Sequence, residues 1–111
     1  NRDRIIVIGG WEQMKYFIVE GMLKDSSLIN DDIMKKHMAY TQKAMDKGLI
    51  LMSGLKDDMS GGIFVMKAES IEEVEGYLSE EPFKVFGLQD YNVIEFSVHY
   101  FNQLPNEWFN K

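Results

Sequence analysis

The alternation of hydrophobic and polar positions divides the chain into four short apolar runs and two longer segments with helical spacing. Runs of β-branched and aromatic residues bounded by glycine or polar turns are typical of strands, and they occur at 15–21, 49–54, 63–68 and 92–102. Apolar residues recur every three or four positions over 31–47, and again from 71 to a break before Pro82, which predicts two helices. The predicted order is strand, helix, strand, strand, helix, strand.

The first predicted helix has clear start and stop signals. Residues 30–32 read Asn-Asp-Asp, which supplies a side-chain cap and negative charge at the N-terminus. Lys47-Gly48 is a typical helix end. The apolar stripe between these ends consists of Ile33, His37, Tyr40 and Ala44. Because His37 belongs to the stripe, we expect its side chain to point toward the sheet rather than toward water.

The middle of the chain contains a predicted hairpin and a second capped helix. Residues 56–62 have the composition of a turn, so the second and third strands are predicted to form a hairpin. Ser70 followed by Glu73 matches a capping box at the start of the second helix. The Glu-Glu-Pro sequence at 80–82 breaks that helix, and a short irregular segment is expected after it.

This order of elements predicts an α+β fold of the ferredoxin-like type, βαββαβ, with an antiparallel four-stranded sheet and two helices on one face. The second face of such a sheet alternates to polar residues when it meets water. Strands two and three are instead apolar on both faces, so the second face needs a cover. The opposing pairs are Ile63 and Val65 against Phe64 and Met66, and Leu49 and Leu51 against Ile50 and Met52.

A second copy of the chain is the favoured cover, packed sheet against sheet about a two-fold axis as a dimeric α/β barrel. Burying each apolar side chain contributes ~1.5–3 kcal/mol, which makes the open monomer unfavourable. The alternative cover is the chain's own tail around Trp108 and Phe109. We therefore predict a homodimer, and a higher oligomer stays open.

The chain is predicted to hold one domain, 14–102, between an N-terminal extension at 1–13 and a C-terminal tail at 103–111. Residues 5–8 are β-prone and could add a strand to a sheet edge. The rival interpretation of the extension is a misassigned start codon upstream of Met14. An apolar run of four residues is far shorter than the ~18–20 that span a bilayer. We therefore expect no membrane association, and the cytoplasm is the default compartment.

Composition contributes mainly by exclusion. With 111 residues, of which 45% are hydrophobic and 27% charged, the chain has the make-up of an ordinary globular domain. Twelve basic against eighteen acidic residues give a net charge of −6, which disfavours nucleic-acid partners, including RNA bound on the sheet. The lack of cysteine excludes disulfides, thiolate nucleophiles and Cys-based metal sites.

Candidate chemistry rests on the two histidines. His37 becomes a usable general acid or base if a carboxylate lies beside it, and the alternative is a core-edge histidine bonded to a backbone carbonyl. Glu80 and Glu81 are the candidate partners, and the position before Pro82 restricts the direction of the Glu81 side chain. His99 is predicted to be a surface or interface residue. The sequence contains no HExxH motif, Walker loop or GxGxxG, and neither a metal nor a cofactor is expected.

Taken in order, several segments resemble the YCII-related (YciI-like) family of small dimeric α/β-barrel proteins. The resemblance covers 14–101 and depends on the order and spacing of short segments more than on any one of them. The segments are the strand KYFIVEG, the helix stretch HMAYTQKAMDKG, the strand LILMSG, the DDMSGG hairpin, the helix ESIEEVEGYL and the EPF turn.

The resemblance implies a homodimer with a pocket that holds a histidine and an aspartate as an acid–base pair. His37 stands at the position of the family histidine, and Glu81 stands where the family has an aspartate before proline. Two further departures are Met34 in place of a basic residue and Leu55 in place of the proline after Gly54. An enzyme of the family removes hydrogen chloride from a chlorinated hydroxyhydroquinone, and the fold resembles muconolactone isomerase.

Two functional hypotheses follow. In the first, the protein is a cofactor-free enzyme that transfers a proton, or catalyses an elimination, on a small cyclic molecule, with His37 and Glu81 as the catalytic pair. Tyr40, Met34 and Phe83 are then the candidate ligand-binding residues. In the second, the same pocket holds a small ligand without catalysis, and the eight methionines suit an adaptable lining.

Overall fold

A computed structural model describes residues 14–109, which form a four-stranded antiparallel sheet in the order β2-β3-β1-β4 with helices on one face. The strands are β1 (Lys15–Leu23), β2 (Ile50–Leu55), β3 (Gly62–Ala68) and β4 (Gln89–Phe96). The helices are α1 (Asp31–Asp46), α2 (Ile71–Ser79), the one-turn α3 (Pro82–Val85) and α4 (Pro105–Trp108), with a 3₁₀ turn at Ser26–Leu28. The predicted α+β, ferredoxin-like fold is confirmed, and both interpretations of 1–13 lie outside the described residues.

Helix α1 begins and ends close to its sequence signals. The Asn30 side chain accepts a hydrogen bond from the Ile33 N–H at 2.8 Å, which satisfies one of the unpaired donors of the first turn. At the other end the backbone of Gly48 has φ +77°, the left-handed conformation that glycine adopts at little cost. The helix ends at Asp46, and Lys47 is its C-cap.

The hydrophobic core lies between the sheet and the helices. Phe17 and Val19 of β1 are fully buried, as is Val74 of α2, and Leu78 lies one turn further along the same helix face. Each such side chain contributes about 1.5–3 kcal/mol on burial. This packing fixes the position of α2, and so of the Glu-Pro turn that follows it, against the sheet.

The opposite face of the sheet, which we call the open face, is apolar and is not covered by any element within residues 14–109. Directly paired strand residues point to the same side, and Ile18 is paired with both Val65 and Ile94. Ile63 is 39% exposed and Ile94 is 48% exposed. The expectation that β3 is apolar on both faces is therefore confirmed. The alternative cover is not formed, because Trp108 and its neighbour in the tail are themselves exposed.

Strand β2 differs from the regular alternation that its sequence suggested. Ile50 pairs with Met66, whereas Met52 pairs with Val65, so the register shifts between them at a bulge. A bulge inserts one extra residue and reverses the alternation beyond it. The prediction that Ile50 and Met52 share a face is therefore wrong.

Strand β4 is shifted from its predicted range of 92–102. It begins at Gln89, which pairs with Leu23, and ends at Phe96, which pairs with Tyr16. Over this range every residue of β4 is paired with a residue of β1. The irregular segment predicted after α2 is also wrong, because Pro82 starts the one-turn helix α3 there.

No helix within 14–109 combines the length and the apolar character needed to cross a membrane. The cytoplasmic location expected above stays a prediction.

Candidate acid–base site

The turn after α2 places a carboxylate inside the protein. Glu81 has φ −69° and ψ 131°, the extended conformation expected of a residue before proline. Its Oε1 accepts the Phe83 N–H at 3.1 Å and so caps α3. The residue is only 2% exposed. Burying a carboxylate costs free energy unless hydrogen bonds replace those it made to water. Glu81 therefore needs further hydrogen-bond donors.

One of those partners is His37, which α1 carries to the same point. The Nδ1 atom of His37 lies 2.6 Å from Oε2 of Glu81. The imidazole ring also stacks on the ring of Phe83, with centroids 3.9 Å apart and an interplanar angle of 2°. The hydrogen bond and the stacking together fix the orientation of the imidazole, whose side chain remains 28% exposed.

A side chain of β4 also binds Glu81, at the oxygen that does not contact His37. The Tyr91 hydroxyl donates a short hydrogen bond to Oε1, and the Gln89 side-chain amide donates to the Tyr91 oxygen at 2.9 Å. Burial, followed by the hydrogen bond to Glu81 and its charge, raises the pKa of Tyr91. The phenol therefore stays protonated and remains a donor. His37, Glu81, Tyr91 and Gln89 thus form one continuous chain of hydrogen bonds.

Two glycines lack the Cβ atoms that would otherwise fill the space around the Gln89 side chain. A Cβ at Gly21 would overlap the Gln89 amide, and a Cβ at Gly61 would overlap the Gly21 carbonyl. The Gln89 oxygen in turn lies 3.5 Å from the Gly62 N–H, a long hydrogen bond. The last member of the chain is therefore positioned by the β2–β3 hairpin.

A small cleft of about 40 Å³ opens beside this chain of hydrogen bonds. It has room for a few water molecules but not for an aromatic ring. Its walls include three hydroxyl-bearing side chains besides the four residues described above, namely Thr41, Ser53 and Tyr77. Burial, followed by the charges of Tyr40 and Glu81, raises the pKa of Tyr77, so its hydroxyl also stays protonated.

The three residues predicted to bind ligand lie outside the walls of this cleft. Phe83 is buried and forms the surface on which His37 stacks. Tyr40 donates its hydroxyl to the Tyr77 carbonyl at 2.6 Å and lines a separate cavity. Met34 is 38% exposed on α1. Their role in ligand binding stays a prediction, as does the catalytic role of His37 and Glu81.

Sequence reasoning missed Tyr91, Gln89 and Thr41. Thr41 lies four positions after His37, so helical spacing already placed it on the same face. Tyr91 and Gln89 precede Asn92, the predicted start of the last strand. They were therefore not recognised as strand residues that share a face with Val93. No sequence signal connects either of them with the turn at Glu81.

Within the described range no three His, Cys, Asp or Glu side chains are grouped so that they could hold a metal ion.

Comparison with known proteins relates the chain to one family and to solved structures, including the following two. Residues 14–97 match the YCII-related domain family. The chain is similar to 5-chloro-2-hydroxyhydroquinone dehydrochlorinase from Burkholderia phenoliruptrix, solved in complex with 2,5-dihydroxybenzoquinone. The identity is 27% and the TM-score 0.62, over 74% of this chain and 93% of the other. This similarity confirms the fold class of the dimeric α/β barrels.

The second structure is the solution structure of a hypothetical protein from Arabidopsis thaliana. Its identity is 17% and its TM-score 0.43, over 79% of this chain and 90% of that one. No curated protein sequence matches the chain.

Proposed function

Because the chain belongs to the YCII-related domain family, we propose that it transfers a proton, or catalyses an elimination, on a small hydroxylated ring with His37 and Glu81 as the acid–base pair. The observation that carries this proposal is the 2.6 Å separation of His37 Nδ1 from Oε2 of a buried carboxylate. A general base must lie within hydrogen-bond distance of the proton it removes, and it needs a partner that fixes its tautomer. Glu81 is that partner for His37.

In the proposed step, His37 acts through Nε2. An ionised carboxylate only accepts hydrogen bonds, so Glu81 holds the proton on Nδ1 and leaves the lone pair on Nε2. His37 takes a proton from the substrate, and the electron pair of the broken bond expels a leaving group as an anion. Glu81 stabilises the imidazolium until that proton passes to water. Such positioned transfer typically contributes about 10²–10⁴-fold in rate.

Three hydroxyl groups around the cleft support a hydroxylated ring as the substrate class. Thr41, Ser53 and Tyr77 can each donate to or accept from a ring hydroxyl. The cleft, at about 40 Å³, admits a substituent of the ring but not a whole ring. The ring itself would lie outside the cleft, with only its substituent inside. The name of the similar dehydrochlorinase points to the same class, a chlorinated hydroxyhydroquinone.

The test is chloride release from 5-chloro-2-hydroxyhydroquinone, with other halogenated hydroquinones screened in parallel. We expect His37→Gln to lower the rate by about 10²-fold or more, and Glu81→Gln to lower it less, because the amide still orients the imidazole in part. His99→Gln is the matched control, since that histidine is exposed beyond the end of β4. Equal rates in His37→Gln and wild type would contradict the proposal.

A non-catalytic ligand-binding module is the second candidate. It is favoured by the complete set of donors on Glu81, because three hydrogen bonds satisfy the carboxylate without any substrate. In that case 2,5-dihydroxybenzoquinone would bind, His37→Gln would weaken its binding, and no substrate of the class would turn over. Ligand-observed NMR with wild type and the two histidine variants distinguishes binding from turnover.

We further propose that the protein acts as a homodimer joined through the open face. Ile63 and Ile94 are partly exposed on that face, so burying the remainder of each would contribute roughly half of the 1.5–3 kcal/mol of full burial. Light scattering should give twice the mass of the chain. Ile94→Lys should shift the protein to monomer, whereas Val85→Lys, at an exposed apolar position on α3, should not. Monomeric wild-type protein would refute the dimer.

A further inference from the structure

Gln89 is a buried polar side chain that the proposed acid–base step does not use. It is 2% exposed and lines the cleft together with His37. A side-chain amide offers two N–H donors and a carbonyl acceptor. One N–H donates to the Tyr91 oxygen at 2.9 Å, and within residues 14–109 the other has no acceptor. Buried donors without a partner are rare in folded proteins, so this N–H is available to an acceptor that enters the cleft.

The backbone around Gln89 leaves space for an amide and fixes its orientation. A Cβ at Gly21 would overlap the amide, and a Cβ at Gly61 would lie 3.2 Å from its oxygen. The Gly62 N–H lies on the oxygen side of the amide, and the Tyr91 oxygen lies on the nitrogen side. Burying an amide costs free energy that an apolar side chain in the same space would avoid. The arrangement therefore indicates that the amide does more than fill the core.

The cleft admits only a small substituent, and its walls differ in what they can recognise. Its volume is about 40 Å³, which excludes a ring. Thr41, Ser53 and Tyr77 present hydroxyls, each of which can donate or accept a hydrogen bond. An amide N–H only donates, and the other bonds of Gln89 restrict its direction. Gln89 can therefore distinguish a substituent that accepts a hydrogen bond from an apolar substituent of the same size.

We propose that the second N–H of Gln89 donates to an oxygen substituent of the bound ring and so selects rings that carry a hydroxyl or carbonyl group. The inference rests on the proposed function and names the residue that sets its substrate class. A site built to bond a ligand oxygen rejects an analogue that lacks it, because the buried polar group of the site is then left unpaired. The first N–H of Gln89 keeps its separate role of holding Tyr91.

Two ring compounds of nearly equal size separate recognition of oxygen from filling of the cleft. Phenol carries an oxygen that accepts hydrogen bonds, whereas the fluorine of fluorobenzene accepts them poorly. In ¹⁵N-labelled wild type the Gln89 side chain gives two amide proton signals, which are assigned through its backbone. We expect phenol to move one of the two downfield and fluorobenzene to move neither. Equal shifts with both compounds, or no shift with phenol, would overturn the proposal.

Gln89→Met gives the matching affinity measurement, because it keeps the length of the side chain and removes both donors. The dissociation constant of phenol should rise by about tenfold, the effect of one hydrogen bond, while that of fluorobenzene stays unchanged. Tyr91→Phe is the matched control, since it removes the bond between the two side chains and leaves the second N–H of Gln89. Equal loss of phenol binding in both variants would show that Gln89 acts only by holding Tyr91. If Gln89→Met does not fold, the wild-type amide signals decide.

Binding and turnover together separate the possible failures. A phenol-dependent shift of the Gln89 amide without turnover of any halogenated hydroquinone would overturn the proposed reaction and leave the role of Gln89 standing. Turnover with an unmoved Gln89 amide would overturn the role of Gln89 and leave the reaction standing. Wild type that binds neither phenol nor 2,5-dihydroxybenzoquinone would also overturn the role of Gln89.

Discussion

At the scale of single residues, the site depends on how one buried carboxylate is satisfied. Glu81 accepts from the His37 ring, the Tyr91 hydroxyl and the Phe83 N–H, so each of its oxygens has a donor. Three such bonds offset the cost of removing the charge from water. The family resemblance implies an aspartate at this position, and glutamate has one more rotatable bond than aspartate. Tyr91 restricts that extra freedom by donating a hydrogen bond to Oε1 of Glu81.

We predict that Tyr91→Phe loosens Glu81 while leaving His37 in place. The lost donor to a buried carboxylate should destabilise the protein by about 1–3 kcal/mol, measured by urea unfolding. Turnover, if the proposed function holds, should fall less than in His37→Gln. Tyr100→Phe serves as the control, because that hydroxyl is almost fully exposed. Equal stability of the two variants would show that the Tyr91 bond contributes nothing.

At the scale of elements, three separate pieces of the fold converge on one point. Helix α1 brings His37, the turn into α3 brings Glu81 and Phe83, and β4 brings Tyr91. The convergence depends on the β2–β3 hairpin as well, because its glycines let the backbone of β1 and the Gln89 side chain approach closely. A substitution in the hairpin should therefore displace Gln89 and, through it, Tyr91 in the site.

Two glycine substitutions should act in opposite directions. Gly61 has φ +152°, and a Cβ there would overlap the backbone of Gly21, so Gly61→Ala should cost about 1–3 kcal/mol. Gly76 lies within α2 with nothing within 4 Å of an added Cβ. Gly76→Ala should stabilise the protein by about 0.5–1 kcal/mol, since alanine loses less backbone entropy in a helix. Thermal unfolding of both variants checks the two signs.

At the scale of the whole molecule, three tyrosines connect stability to pH. Burial, the largest cause, raises the pKa of Tyr40, Tyr77 and Tyr91 above the ordinary 10.0, and nearby glutamate charge adds to the effect. The folded state thus holds these protons more tightly than the unfolded state does. Stability from this source is complete below about pH 10 and is lost as pH rises above it.

We therefore expect the free energy of unfolding to fall as the pH rises above about 10, and tyrosinate absorbance to rise together with loss of the fold. Tyr91→Phe should make that fall shallower, because phenylalanine has no proton to release. Tyr100→Phe should leave the slope as it is in wild type. A slope identical in all three proteins would show that the buried phenols do not control the alkaline limit.

The sequence by itself determined the order and type of the main elements, because caps, turns and apolar periodicity are local properties. Asn30 starts α1 and Pro82 follows an extended residue as expected. It also placed His37 on the inner stripe and identified Glu81 as a carboxylate whose direction is restricted. Both faces of β3 were correctly expected to be apolar, which follows from alternation alone.

Only the tertiary structure decided what depends on partners distant in the chain. The range of β4 depends on its pairing with β1, and the bulge in β2 depends on its pairing with β3. Tyr91 lies ten residues from Glu81 in a separate strand, and Phe83 turned out to be the platform beneath His37. Such contacts arise when a sheet and its helices close around one core, and the spacing of residues along a single chain does not record which of them will meet.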